Sequence, residues 1–181
     1  MTATQRYREF SAAELTPEQK AVFDSIASTR SGVVPTPFHV LVESPQLASL
    51  TQALGAFCRY RTGLSPKLSE LAVLITAAHW GAEYEFAVHT PEALKAGIPQ
   101  AVIDTLRDHK TPPLDDPDSK LVYEFATAFY TTKDVSDALF EQAVTRFGRR
   151  RVVELAGLLG YYSGLAMLLR IFRVAAPVSK K

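Results

Sequence analysis

Cysteine is nearly absent from this sequence of 181 residues, which contains only Cys58. One cysteine excludes an intramolecular disulfide framework, a zinc site made of several cysteines, and a CxxC redox pair. A surplus of one charge sign is absent too, because 20 Lys and Arg face 19 Asp and Glu, for a net charge of +1. Without a basic surplus we expect neither a nucleic-acid partner nor binding to a membrane surface.

Long hydrophobic runs and targeting signals are also missing. The first ten residues have no apolar core of the kind found in signal peptides, which together with the low cysteine content predicts a cytoplasmic protein. The most apolar stretch, Leu155 to Leu169, is closed by Glu154 and Arg170. At about 15 residues it is shorter than the ~20 that a membrane span needs, so it predicts a buried helix. Four scattered histidines and the lack of a dinucleotide fingerprint predict no metal and no cofactor.

The sequence does contain residues that mark the starts of helices. Apolar residues make up 47% and charged residues 22%, as in globular domains. A capping residue stands directly before proline, a pattern typical of helix N-termini, at Thr16-Pro17, Ser44-Pro45, Ser65-Pro66 and Asp116-Pro117. The apolar spacing of Leu68, Leu71, Ala72 and Ile75 is that of one helix face. We predict an all-α fold, a single compact bundle of about eight helices with an N-terminal arm.

The predicted boundaries divide the chain into three parts. Residues 1–32 form the N-terminal arm and first helix, residues 33–176 the helical domain, and residues 177–181 a flexible tail. Within the domain, the stretch 32–42 is rich in Val and Pro, and we expect it to be an extended connector between two helices.

The densest group of reactive side chains lies around residues 80–89. Glu85 and His89 are four residues apart, so on a helix they share one face. A carboxylate beside an imidazole suits a general acid or base, and Glu70 on the preceding helix can reach the same place if the two helices pack antiparallel. The alternative is a solvated surface pair. Pro91, two residues after His89, predicts a kink or the end of the helix at His89.

Three segments stand out along about residues 33–174. The first is Pro37-Phe38-His39-Val40-Leu41 with Ser44-Pro45. The second is Glu70-Leu-Ala-Val-Leu, then Glu83-Tyr84-Glu85, His89, Ala93 and Gly97. The third is Glu154-Leu-Ala-Gly-Leu-Leu-Gly160-Tyr161-Tyr162 with its following leucines. In this order they resemble the carboxymuconolactone decarboxylase and alkylhydroperoxidase D-like family. The resemblance implies the family's all-helical fold and an oligomer, a trimer or hexamer.

The resemblance also separates two chemistries. The peroxidase branch carries a CxxC before the histidine and a relay glutamate upstream; aligned on His89, those positions hold Ala82, Glu85 and Glu70 here. Without thiolates at these positions, thiol peroxidase activity is not expected. The decarboxylase branch keeps a glutamate at the Glu85 position and the histidine, which implies a lyase for a small lactone carboxylate such as 4-carboxymuconolactone.

Further residues are expected to bind such a substrate. They are Arg59 or Arg61 for its carboxylates, Trp80 and Phe38 as apolar walls, and Tyr84 and His39 as polar neighbours. Each also has a plainer interpretation, as a solvated arginine or as an ordinary core residue. Two alternatives to the decarboxylase stay open: a different proton-transfer or hydrolytic enzyme using the same cluster, and an oligomeric binding protein of the family without catalysis.

Overall fold

Nine α-helices and no strand are found in the residues that the structure, a computed structural model, describes: 4–30 and 32–177. In chain order the helices are α1 (Pro17–Ser28), α2 (Thr36–Leu41), α3 (Pro45–Tyr60), α4 (Pro66–Trp80), α5 (Glu83–Lys95), α6 (Gln100–Arg107), α7 (Pro117–Thr132), α8 (Asp137–Phe147) and α9 (Arg149–Ile171). The predicted all-α class is confirmed, with one helix more than the eight expected.

Four of the nine helices described begin where the capping residues predicted. Thr16 forms a full capping box with Gln19, and the side chains of Ser65 and Asp116 each accept a hydrogen bond from a backbone N–H three residues later. Ser44 precedes α3 as expected, but its side chain makes no capping hydrogen bond. The proline at the first helical position is enough to set that start, since its fixed φ suits a helix.

The additional helix is α2, which lies where an extended connector was predicted. Pro35 takes an extended conformation as its N-cap, and Pro37 occupies the first turn, where a missing N–H costs nothing. Phe38, Val40 and Leu41 are buried by this turn of helix. The expectation failed because the same Val and Pro content suits either an extended segment or a short helix that proline begins.

The core is built around α4. This helix packs against α5, α7 and α9, and all of its residues from Leu71 to Ala77 are buried. Burying side chains such as Leu71 and Leu74 contributes about 1.5–3 kcal/mol each, which makes α4 the best fixed element of the fold. Glu70 sits at the edge of this apolar stretch, so its carboxylate is held on a rigid helix.

The apolar helix near the C-terminus is α9. By length and composition alone it could cross a membrane, and 44% of its most apolar window is buried inside the fold. It packs on α4 and α8 and contacts α3, with Leu155, Leu158 and Leu169 almost fully buried. These contacts agree with the predicted buried helix.

Of the two effects expected of Pro91, a kink or the end of the helix at His89, the end does not occur. The helix continues through Pro91 to Lys95. Phe86 and His89 before the proline and Ala93 after it are all buried, so both halves of α5 are fixed by packing. That burial outweighs the one backbone hydrogen bond that a proline removes.

The N-terminal segment is fastened to the bundle. The N–H of Arg6 donates to the carbonyl of Phe172 over 3.0 Å, Phe10 and Phe23 pack with Val42, and α1 contacts α3. The predicted flexible tail, 177–181, lies outside the described residues except for its first position.

Candidate active site

Three ionisable side chains meet at the seam between α4 and α5. Nδ1 of His89 lies 2.7 Å from Oε2 of Glu70, and Nε2 of the same ring lies 3.5 Å from Oε2 of Glu85. The imidazole therefore stands between two carboxyl groups, with a short hydrogen bond on one side and a longer contact on the other. We call Glu70, Glu85 and His89 the trio.

The trio is largely withdrawn from water. The side chains of His89 and Glu85 are 3% and 5% exposed, and that of Glu70 is 16% exposed. This burial excludes the alternative of a solvated surface pair. Buried ionisable groups are costly unless they are paired, so the mutual contacts of the trio are what make its position tolerable.

The short connection between α4 and α5 brings the trio together. Gly81 adopts φ of +58°, a left-handed conformation that favours glycine, and ends α4. After Ala82 the chain turns back into α5, which packs along α4. Glu85 and His89, one turn apart on α5, then face the turn of α4 that carries Glu70.

Burial favours the protonated form of Glu85. Desolvation raises the pKa of its carboxyl, against the opposing charges of His89 and Arg59. A carboxyl group that holds its proton can pass it to a neighbouring imidazole nitrogen. Each ring nitrogen of His89 has a carboxyl group beside it, Glu70 at 2.7 Å from Nδ1 and Glu85 at 3.5 Å from Nε2, and these contacts form one proton path through the three groups.

Two tyrosines of α9 pack beside the trio. They were not predicted from the sequence as site residues. The ring of Tyr162 stands edge-on to His89, with centroids 5.1 Å apart and planes at 90°, and Tyr161 packs on Tyr162 in the same way at 4.9 Å. Burial raises the pKa of both hydroxyls, so both are neutral phenols. The signal that could have found them is the pair of tyrosines within an otherwise apolar helix.

Arg59, at the end of α3, is a cation whose charge acts on Glu85 of the trio. Burial acts to lower the pKa of its guanidinium, but the attraction of Tyr162, Glu70 and other acids outweighs it and raises the pKa. The charge of Arg59 in turn favours the ionised form of Glu85. Arg61, the other predicted carboxylate partner, is exposed.

Gly55 on α3 makes room for the Tyr161 hydroxyl, and a matched glycine pair tests this. A Cβ at position 55 would collide with the Tyr161 hydroxyl and lie 2.8 Å from Cζ, whereas one at Gly157 would meet nothing within 4 Å. We expect Gly55→Ala to lower the free energy of unfolding by about 1–3 kcal/mol. Gly157→Ala should raise it by up to about 1 kcal/mol through helix propensity. Urea unfolding of both variants measures the difference; equal effects would contradict this packing.

Trp80 and Tyr84, predicted to bind substrate, have contacts away from the trio. The indole N–H of Trp80 donates to Oγ of Ser163 over 3.0 Å, on a different face of α9 from the two tyrosines. Tyr84 packs among apolar residues of α2 and α9. A substrate-binding role for either residue stays a prediction.

Phe38 and His39 lie on α2 and pack towards the N-terminal segment. Phe38 packs with Ile26 of α1 beneath the guanidinium of Arg30. Nδ1 of His39 accepts a hydrogen bond from the N–H of Phe10 over 3.1 Å. Burial lowers the pKa of His39, which suits this acceptor role. The structure thus gives both residues a packing role, and their predicted contact with substrate has no support in these contacts.

Cys58, on α3, is not poised for thiol chemistry. It is 1% exposed, and burial raises the pKa of its thiol. A reactive cysteine needs the opposite, a lowered pKa and access. Across residues 4–30 and 32–177, no group of three or more His, Cys, Asp and Glu side chains could hold a metal ion.

Comparison with solved structures defines the class of fold. The peroxidase-related AhpD-core protein of Ralstonia eutropha JMP134 superposes with a TM-score of 0.78 at 16% identity, covering 96% of this chain and 93% of that one. A peroxidase-related protein of Silicibacter sp. TM1040 gives 0.77 at 13%, with 96% and 92% covered. A cysteine-to-alanine variant of the debrominase Bmp8 with 2,3,4-tribromopyrrole gives 0.74 at 14%, with 97% and 93% covered. The fold is that of the AhpD-like helical proteins.

A family model matches part of the sequence. Residues 45–128 match the model of the carboxymuconolactone decarboxylase family, a stretch that begins with α3, ends in α7 and includes the whole trio. Over this stretch the chain is similar to that family. No curated protein matches it.

Proposed function

We propose that the protein is a cytoplasmic, cofactor-free decarboxylase of a small lactone carboxylate such as 4-carboxymuconolactone. One observation carries the proposal: His89 is held in a buried seam, 2.7 Å from Glu70 and 3.5 Å from Glu85. A carboxyl group with a raised pKa beside an imidazole is the usual equipment for delivering a proton. Thiol peroxidase chemistry has no support, because Ala82 and Glu85 occupy the aligned cysteine positions and Cys58 is buried.

The reaction needs one proton, which the protein supplies, and an electron sink. The sink is the conjugated lactone carbonyl of the substrate itself. The bond between the lactone ring and its carboxylate breaks, carbon dioxide leaves, and the electron pair moves through the conjugated double bond onto the lactone carbonyl oxygen. A proton then adds to the ring carbon next to that carbonyl, which restores a neutral lactone. Protonated Glu85 is the proposed donor of this proton.

The other site residues then have distinct tasks. After Glu85 has given up its proton, Nε2 of His89 takes a proton from water and passes it to the Glu85 carboxylate, while Nδ1–H stays hydrogen-bonded to Glu70, so His89 is a relay residue and Glu70 a positioning residue. Arg59 supplies the positive charge that a substrate carboxylate and the developing oxyanion require. Neutral Tyr161 and Tyr162 keep water from the seam and keep the local dielectric low.

A direct assay tests the proposal. Purified protein incubated with 4-carboxymuconolactone should consume the substrate absorbance and release one carbon dioxide per molecule consumed. Heat-denatured protein should do neither. No turnover by protein shown to be folded by circular dichroism would contradict the decarboxylase.

A second candidate function, an oligomeric binding protein without catalysis, is favoured by one observation. Three cavities of about 520, 450 and 310 Å³ have no member of the trio in their lining. Ligand binding without turnover in the same assay would support this candidate over the enzyme.

We also propose that the protein assembles as a trimer or hexamer. Apolar side chains of α3 and α9 are exposed in the single chain: Leu47, Leu50, Leu54, Val153, Met167 and Ile171. Burying these apolar side chains against another copy of the chain favours self-association. Light scattering at micromolar concentration should return three or six times the chain mass of 19.9 kDa, and a mass of 19.9 kDa would contradict the assembly.

A further inference from the structure

A cavity of about 520 Å³ lies between α7, α9 and the end of α4, apart from the trio. Its lining is mostly apolar and comprises Trp80, Phe125, Phe129, Tyr130, Lys133, Val135, Ala156, Leu159, Gly160 and Ser163. A volume of this size is typical of small-molecule sites, which combine apolar walls with a few placed polar groups. A Cβ at Gly160 would meet no atom within 4 Å, so the helix itself leaves this space open.

The polar wall of the cavity is an ordered chain of hydrogen bonds. The hydroxyl of Thr76 donates its single proton to the carbonyl of Ala72 over 2.8 Å. At the 2.8 Å contact with Tyr130, Thr76 is therefore the acceptor and Tyr130 the donor. At the 3.2 Å contact with Ser163, Tyr130 is then the acceptor, so the Ser163 hydroxyl donates.

This order fixes what Ser163 can offer to a ligand. Its oxygen accepts from the indole N–H of Trp80 over 3.0 Å, and its proton is used by Tyr130. One lone pair remains, so Ser163 can only accept from a bound molecule. Lys133 at the rim donates one of its three N–H groups to the carbonyl of Tyr130 over 2.7 Å, and its two other N–H groups remain for water or a ligand at the mouth of the cavity.

We propose that this cavity is a second binding site, for a flat aromatic alcohol whose ring lies among Trp80, Phe125 and Phe129 and whose hydroxyl donates to Oγ of Ser163. Aromatic walls favour a planar apolar ring over an aliphatic chain. The free acceptor favours a hydroxyl over the parent hydrocarbon, and an acceptor-only ligand would leave Ser163 without a new bond. This site is independent of the proposed decarboxylase, because no trio residue lines it.

Binding of 2-naphthol and naphthalene tests the site. Trp80 is the only tryptophan of the chain, so its fluorescence reports occupancy of this cavity while calorimetry gives the affinity. We expect both compounds to bind and 2-naphthol to bind more tightly. Ser163→Ala should weaken 2-naphthol by about tenfold and leave naphthalene within about twofold, because only the alcohol loses a hydrogen bond.

Two substitutions at exposed positions locate the binding. Ala156→Phe on α9 fills the cavity and should abolish binding of both compounds, whereas Gln142→Phe on α8, which adds bulk outside the lining, should leave it unchanged. Decarboxylation should be unaffected by either.

Failure of both compounds to bind the wild type would overturn the site, as would wild-type affinity in Ala156→Phe. Equal weakening of both compounds by Ser163→Ala would overturn the alcohol assignment. If a second copy of the chain occupied the cavity instead, Ala156→Phe would change the oligomeric mass; an unchanged mass supports the small molecule.

Discussion

Replacing His89 with alanine is expected to lower kcat for 4-carboxymuconolactone by about 10²–10⁴-fold, the usual contribution of a positioned proton-transfer group. The substitution removes the ring between Glu70 and Glu85, so a proton given up by Glu85 cannot be returned along the path of the trio. Steady-state kinetics measures the loss, and KM should change far less than kcat, because the ring is enclosed by protein groups.

The control is the same substitution at another histidine. His79 lies at the exposed end of α4, stacked on the ring of Tyr130 with centroids 4.3 Å apart, and has no contact with the trio. His79→Ala should keep kcat within about twofold of the wild type, whereas a folded His89→Ala with wild-type kcat would remove His89 from the mechanism. Glu70→Gln, which keeps the side-chain volume, guards against a His89→Ala protein that fails to fold, and it should also lower kcat.

Replacing Glu85 with glutamine is expected to lower activity by about 10²-fold or more and, above acid pH, to raise stability. The activity falls because an amide cannot deliver the proton. The stability rises because a buried carboxyl costs free energy when it ionises, and the amide of equal size does not. Few substitutions of a core ionisable group have opposite effects of this kind, which makes the pair of measurements diagnostic of a functional site.

The sign of the pH dependence follows from the raised pKa of Glu85. Below the ordinary pKa of 4.5 the carboxyl is protonated in both folded and unfolded chains, and its folded-state environment costs nothing. As pH rises towards the folded-state pKa, only the unfolded chain releases the proton, so the wild type loses up to about 1.4 kcal/mol per pH unit. Above that pKa the loss is constant.

Urea unfolding of wild type and Glu85→Gln across this pH range measures the effect. The stability difference between the two proteins should grow with rising pH and then level off. Glu92→Gln provides the matched control, because Glu92 lies on the same helix, its side chain is 41% exposed, and Lys95 lowers its pKa. A stability difference for Glu85→Gln that does not vary with pH would contradict the buried carboxyl.

The helical class and the trio could be predicted because both depend on local patterns. Capping residues mark helix starts one by one, and a four-residue spacing places Glu85 and His89 on the same face without knowledge of the rest of the fold. Glu70 required only that consecutive helices pack against each other, which the short Gly81-Ala82 connection brings about.

What could not be predicted depends on contacts between distant parts of the chain. Whether Pro91 breaks α5 is decided by burial on both of its sides, and whether residues 36–41 form a helix is decided by packing against α3 and α9. Tyr162 reaches His89 from 73 positions further along the chain, and no local pattern marks that approach. The same applies to Trp80, whose partner Ser163 is equally remote.

The most direct test of the account is the state of the His89 ring in the folded protein. Nuclear magnetic resonance of protein with ¹⁵N-labelled histidine should show a downfield Nδ1–H proton that exchanges slowly with water and is lost in Glu70→Gln. A His89 ring whose protons exchange as fast as those of an exposed histidine would contradict a shielded proton path and with it the proposed chemistry.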